Sequence, residues 1–244
     1  MKRKDRKVTP IRQQYLEIKN NYPNSILFFR LGDFYETFDE DAQITARDLG
    51  IVLTNRKVSK QLSVPMAGIP YHSLENHLRK LVSKGHHVAI CDQVGQEQVN
   101  GIMQRKVVRI FTPGTMTDPG MIPENRNTYL AAAYQTDGGA GLAYIDVSTG
   151  HFRATEFPSE DYEEQLINEL NRISPAELLV PDSNKNLLDS SNIHRTKIPQ
   201  WVFEPETSHR ILLDETKVNT LASFGIEKYP LAIAAAAAIV YYLS

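Results

Sequence analysis

Gly32-Asp33-Phe34-Tyr35-Glu36 sets two aromatic rings and a carboxylate in direct succession behind the apolar run Ser25 to Leu31. An exposed aromatic beside a carboxylate can stack on a nucleobase and test its edge. The ring tolerates any base, whereas the carboxylate accepts only from a donor. The same residues also have a structural reading. Asp33 and Glu36 stand at the spacing of a capping box, which satisfies free amides at a helix N-terminus. Phe34 continues an apolar helical row through Phe38, Ala42, Thr45 and Leu49. Spacing alone favours this second reading and predicts a strand turning directly into a helix that runs to about Leu49.

Cations that could meet phosphates are local. The chain of 244 residues is 41% hydrophobic and 23% charged, with a net charge of -2, so it carries no overall basic field. The polar stretch Thr54 to Lys60 gathers Arg56, Lys57 and Lys60 and is the best phosphate patch. Arg105 and Lys106 suit the same role, although most surface cations are merely solvated. Lys2 to Lys7 is a basic tail that reads as a solvated, disordered end able to touch DNA.

The elements that must position these groups follow from punctuation and period. Thr9-Pro10 supplies an N-cap and N1 proline for a helix to about Asn20, and Gly50 stops the focal helix. Ile51 to Leu53 reads as a short strand. Val64 to Tyr71, with two prolines and a glycine, reads as a shaped surface or a packed connecting loop, not a central strand. Ser73 caps a helix whose Leu74, Leu78, Leu81 and Val82 share one face, ended by Gly85. His87 to Gln93 and Arg105 to Phe111 read as strands. Pro113-Gly114 opens a proline- and glycine-rich run to about Asn127, which divides the chain into 1–115, a linker 116–127 and a second domain 128–244.

Beyond the linker the period changes. Tyr129 to Gln135, Leu142 to Ser148 and Phe152 to Phe157 form a three-stranded antiparallel meander, joined at Asp137-Gly138-Gly139 and Thr149-Gly150. Ser159 caps a helix to about Ile173, Glu177 to Val180 is a fourth strand, and an apolar helix begins near Pro230. The fold class is α/β in two domains: a mixed-sheet recognition domain, then a domain of ribonuclease-H-like order. The alanine-rich final helix needs a covering partner, which suggests a fragment of something longer.

Several function classes recede. The single cysteine, Cys91, lies in an apolar run and cannot form an internal disulfide, which fits a reducing, cytoplasmic setting. No segment has the length and apolarity of a membrane span or signal peptide. One cysteine and scattered histidines, with His72 and His77 five apart, give no zinc-ligand pairing, and no metal site is expected. A two-metal nuclease needs carboxylates converging from strand ends, but Thr128 to Thr136 contains none and Asp146 stands without a companion. A pure protein-interaction module is the other alternative.

Four blocks in order, Thr9-Pro10 with Gln13-Gln14-Tyr15, Gly32 to Glu36, Pro65 to His72 and Thr112 to Thr115, resemble the N-terminal half of the MutS family of DNA mismatch-repair proteins. The resemblance covers essentially the whole chain, with a mismatch-recognition domain followed by a connector domain. It implies recognition of mismatched or unpaired bases in double-stranded DNA, with Phe34 entering the minor groove and Glu36 hydrogen-bonding the displaced base. Tyr35 is then a packing residue with a lesser claim to contact. Met66, Gly68 and Ile69 brace the ring or touch sugar. The family also implies a homodimer, MutL as a partner, and lever, clamp and ATPase domains beyond Ser244, with ATP and magnesium in the full-length protein. No Gly-x-x-x-x-Gly-Lys-Ser/Thr loop occurs here, so no cofactor and no catalytic residue is expected within this chain.

Overall fold

The computed structural model describes residues 9–59, 61–99, 101–117, 128–158, 160–183 and 193–244. The basic tail, Lys60, most of the linker and the Ser159 cap lie outside them. The chain divides into two compact units, Met1–Thr112 and Pro113–Ser244.

Unit 1 opens with α1 (Pro10–Asn21), where the Thr9 side chain accepts from the Arg12 amide as the N-cap. It continues through β1 (Ser25–Leu31), β2 (Phe34–Phe38), α2 (Asp39–Leu49), β3 (Thr54–Lys57) and β4 (Ser63–Pro70). α3 (Leu74–Ser83), β5 (His87–Val99) and β6 (Ile102–Phe111) complete it. The six strands form one sheet in the order β3-β4-β2-β1-β5-β6, with β1 parallel to β5 and every other pairing antiparallel. Period-2 alternation sends Leu27, Phe29 and Phe38 to one face, where Tyr15 of α1 packs on them. Tyr35, Ala67 and Ile69 go to the other, the face on which Ala42 and Ala46 of α2 meet Ala67.

The focal stretch is not a helix start. Leu31 pairs with Phe34, so Gly32 and Asp33 form a two-residue hairpin connection, with Gly32 at φ +59. Phe34 to Phe38 is a strand, and α2 begins only at Asp39. The capping box of Asp33 and Glu36 and the helical row from Phe34 are therefore both overturned. The acidic first turn of α2 is supplied by Asp39, Glu40 and Asp41. Asp39 has a left-handed φ of 56 and is held by Arg12 Nη2 at 2.5 Å. The Leu27 amide, beyond the end of the β1–β2 pairing at Phe29, donates to the buried Asp41 carboxylate at 3.0 Å.

Two further expectations are corrected. Ile51 to Leu53 is irregular, and the strand lies one step later, at Thr54–Lys57, within the stretch read as a loop. Val64 to Pro70 lies in β4, between β2 and β3, despite its prolines. Pro65 is tolerated because it lies beyond the β2 pairing, which stops at Met66, and faces only the short edge strand β3. Pro70 closes the strand. At α3 the Ser73 hydroxyl donates to the Pro70 carbonyl and makes no side-chain cap.

Unit 2 contains the expected meander, β7 (Tyr129–Thr136), β8 (Gly139–Asp146) and β9 (His151–Phe157). After α4 (Tyr162–Ile173), β10 (Glu177–Pro181) adds in parallel to β7, and β11 (Arg195–Ile198) adds in parallel to β10. The order β11-β10-β7-β8-β9 is the ribonuclease-H-like order read from the sequence. α4 covers one face through Leu166, Leu170 and Ile173. α5 (Pro205–Thr216) and α6 (Pro230–Leu243) cover the other. The covering expected for α6 is found within unit 2, since Ala232 to Ile239 are all buried there. Small side chains allow the approach: a Cβ on Gly141 would lie 1.9 Å from the Leu231 carbonyl oxygen. Glu156 of β9 accepts from the Leu231 and Ala232 amides at 2.8 and 3.2 Å, which satisfies free donors at the N-terminus of α6.

Candidate nucleic-acid interface

Strand alternation places Phe34 and Glu36 side by side on one face, about 7 Å apart along β2. Phe38 follows on the same face but is buried among Tyr15, Phe29 and Val64, so the row passes from core to solvent within one strand. Phe34 is 47% exposed, a large apolar side chain left on a rigid strand at a hairpin end. Its neighbours across the sheet are Leu31 and Pro70. Glu36 stands between Phe29 and Gly68 in the register. A Cβ at Gly68 would meet Glu36 Cγ at 3.5 Å and Met66 Sδ at 3.9 Å, so the missing side chain leaves room for the Glu36 side chain to lie over β4. Glu36 accepts a charge-assisted hydrogen bond from Arg56 of β3.

Tyr35 points to the opposite face, is 4% exposed and donates to Asp92 of β5 at 2.8 Å. Burial, then the Asp92 hydrogen bond and charge, push its hydroxyl up to about 12, while Arg30 pulls the other way. It packs, as expected, though as a strand residue and not on a helix.

Among the other predicted contacts, Met66 and Gly68 lie on the Glu36 face, half-buried. Ile69 pairs with Tyr35 and is 1% exposed on the far face, so its side chain offers nothing to a groove. Arg105 is also removed from the phosphate set. It is 7% exposed and donates to the Arg30 carbonyl at 2.6 Å, the Gln14 side-chain oxygen at 3.1 Å and the Met103 carbonyl at 2.8 Å. Its guanidinium lies 5.0 Å from the Phe29 ring centre, and burial lowers its pKa. The sequence offers Arg105 as a cation suited to phosphates, but α1 covers it through Gln14. Lys57 and Lys106 are exposed, yet each alternates away from the Glu36 face; Lys106 pairs with Asp92 in the register.

Sequence reasoning missed the hairpin end itself. Tyr71 is 47% exposed, its amide donates to the Asp33 carbonyl at 2.9 Å, and the Arg30 guanidinium lies 4.2 Å from its ring centre. The signal was present: Gly-Asp between two runs rich in Phe, Ile, Tyr and Thr is hairpin chemistry.

In unit 2, Asp146 is occupied by a turn, accepting from the Ser148 amide at 2.9 Å, the Ser148 hydroxyl at 2.6 Å and the Thr149 amide at 3.3 Å. Glu177 is fully buried and accepts from the Gly114 amide, the Thr196 hydroxyl and the Tyr242 hydroxyl at 2.9, 2.6 and 2.8 Å. Both carboxylates hold local structure.

The chain matches the family models for MutS domain I over residues 9–120 and MutS domain II over residues 128–244. It is 44% identical over 238 residues to the DNA mismatch repair protein MutS of Dehalococcoides mccartyi, an alignment covering 97% of this chain and 27% of that protein. The proteins of the same name from Alkaliphilus oremlandii and Syntrophomonas wolfei are 40% and 42% identical, over 98% and 96% of this chain and 28% of each relative. The chain thus spans between a quarter and a third of these relatives' length. With two domain models matched in order over nearly every residue, the chain belongs to the MutS family.

Proposed function

We propose that this chain is the mismatch-sensing end of a DNA mismatch-repair protein, in which Phe34 enters the minor groove at a mispaired step and Glu36 accepts a hydrogen bond from the displaced base. The observation that carries the reading is the pairing of a 47% exposed phenylalanine with a carboxylate on the same face of one strand. A mispaired step is already weakly stacked, so wedging a ring into it costs less than unstacking a paired step. The resulting kink then brings more duplex against the protein. Glu36 adds selectivity without adhesion. Its charge opposes approach to phosphates, and a displaced base offers the carboxylate a donor that paired duplex does not.

Arg56, Met66 and Gly68 border the site, and Lys57 and Lys106 contact phosphates only at its margin. The second unit relays between this sensor, MutL and the ATPase. ATP with magnesium, and the homodimer, are assigned to the length of the relatives that this chain does not span, and the setting is the cytoplasm. No helix among the described residues is long and apolar enough to cross a membrane. A photo-crosslinking residue substituted for Phe34 in the intact protein tests the reading. Adducts should map to the mismatched step and shift when the mismatch is moved along the duplex. Adducts scattered evenly over mismatched and paired duplex would contradict it.

A further inference from the structure

Glu36 and Arg56 sit on strands that do not touch. β4 runs between them, with Gly68 beside Glu36 and Val64 beside Arg56 in the register. The arginine side chain therefore crosses a whole strand to reach the carboxylate, over the ground that the missing Gly68 side chain leaves open. On the way its guanidinium passes 6.0 Å from the Phe38 ring centre, a second restraint on its path. The bond goes to Oε2 of Glu36, and Oε1 has no protein partner among the described residues. The Glu36 side chain is 13% exposed and that of Arg56 is 36% exposed, so the pair is shielded more than a surface ion pair and less than a core one.

We infer that Arg56 is a positioning residue for base reading: it holds one oxygen of Glu36, fixes the rotamer, and leaves the other oxygen as the acceptor presented to the groove. This rests on the base-reading role proposed for Glu36. A carboxylate free to rotate must lose that freedom each time it meets a base, whereas one already held meets it without that cost. The planar fork of arginine can hold the carboxylate with one N–H and present others outward, which a lysine ammonium does less well. Arg56 thereby belongs to discrimination and not only to general adhesion.

The test is a double-mutant cycle in the full-length protein, measuring affinity for a single-mismatch duplex and its paired counterpart, with Arg56→Gln and Glu36→Ala alone and combined. Arg56→Gln is expected to lower the mismatched-to-paired affinity ratio by about fivefold or more, and by less than about twofold further once Glu36 is already alanine. Arg56→Lys should recover affinity for paired duplex while regaining only part of the ratio. The inference is overturned if Arg56→Gln weakens both duplexes equally, or if its effect on the ratio is the same with and without Glu36. Either result makes Arg56 an independent phosphate contact. A different result, in which Glu36→Ala alone leaves the ratio unchanged, removes the base-reading role itself. An unchanged melting temperature in Arg56→Gln shows that the fold is intact, and if that variant melts early the lysine variant carries the comparison.

Discussion

The Tyr35 hydroxyl donates to Asp92 across β1, at 2.8 Å, and this bond fixes which way β2 faces. Because side chains alternate along a strand, anchoring Tyr35 inward holds Phe34 and Glu36 outward on the other face. A sensor that must place a ring to within a fraction of an ångström gains from a strand that cannot roll.

Tyr35→Phe removes that anchor and leaves the Asp92 carboxylate short of a donor. The expected cost is about 1 to 3 kcal/mol of stability, read by denaturant unfolding of the chain. The pH dependence follows from the raised hydroxyl. A group whose folded pKa lies above its ordinary value of 10.0 contributes stability that is complete below pH 10 and is lost as pH rises toward about 12. Ultraviolet titration should show the same number of tyrosines ionising near pH 10 in the wild type and the Phe variant, with the wild type's additional ring ionising only toward about pH 12. Ionisation of Tyr35 at its ordinary pKa would contradict the buried anchor.

Arg105 is expected to behave as a core residue and not as a phosphate contact. Arg105→Ala strands the carbonyls of Arg30 and Met103 and the Gln14 side chain, at an expected cost of about 2 to 4 kcal/mol in stability. Lys57→Ala and Lys106→Ala should leave the melting temperature nearly unchanged. A dissociation constant measured over a salt series should show at most a shallower slope for the lysine variants, by less than about one counterion each.

Cys91 is fully buried, and burial pushes its thiol up to about 12, with Arg105 opposing and Asp92 adding to the shift. As the chain's single cysteine it gives a clean readout. A thiol reagent should label it negligibly in the native state at neutral pH and fully in denaturant. Fast native labelling would mean that β5 opens readily.

Gly141→Ala is expected to destabilise unit 2, because the added carbon would sit 1.9 Å from the Leu231 carbonyl oxygen. α6 must lift or β8 must bend, at a cost of about 1 to 3 kcal/mol or more. Thermal melting of residues 113–244 measures it directly.

What was legible in the sequence follows from how local each signal is. The Thr9-Pro10 helix start, the meander of unit 2 and the Pro230 helix are set by caps, turn residues and period over a few positions, and the structure bears them out. The focal stretch misled because a two-residue Gly-Asp turn and a capping box both claim Asp33, with Glu36 standing at the spacing of the box. Pairing of Phe34 to Phe38 with both β1 and β4 decided between them, and while Gly-Asp marks the hairpin to β1, no local pattern carries the pairing to β4. β4 was masked by its prolines, whose lost hydrogen bonds matter only where a neighbour needs them. The exposure of Phe34 and the burial of Arg105 depend on how far α1 reaches across the sheet, which is a tertiary fact. So is the Arg56 bond to Glu36, which spans an intervening strand.

The measurement that bears most directly on the central claim is the affinity of the intact protein for mismatched and paired duplex with Phe34→Ala, read beside its melting temperature. Truncating a buried phenylalanine costs about 3 to 5 kcal/mol of stability, whereas removing a base-stacking aromatic costs roughly 1 to 3 kcal/mol of binding. With Phe34 47% exposed, we expect an unchanged melting temperature and loss of the preference for mismatched DNA. Glu36→Ala should shrink the preference while binding to paired duplex holds steady or strengthens. A Phe34→Ala protein that still prefers mismatched over paired duplex by the wild-type factor would contradict the account.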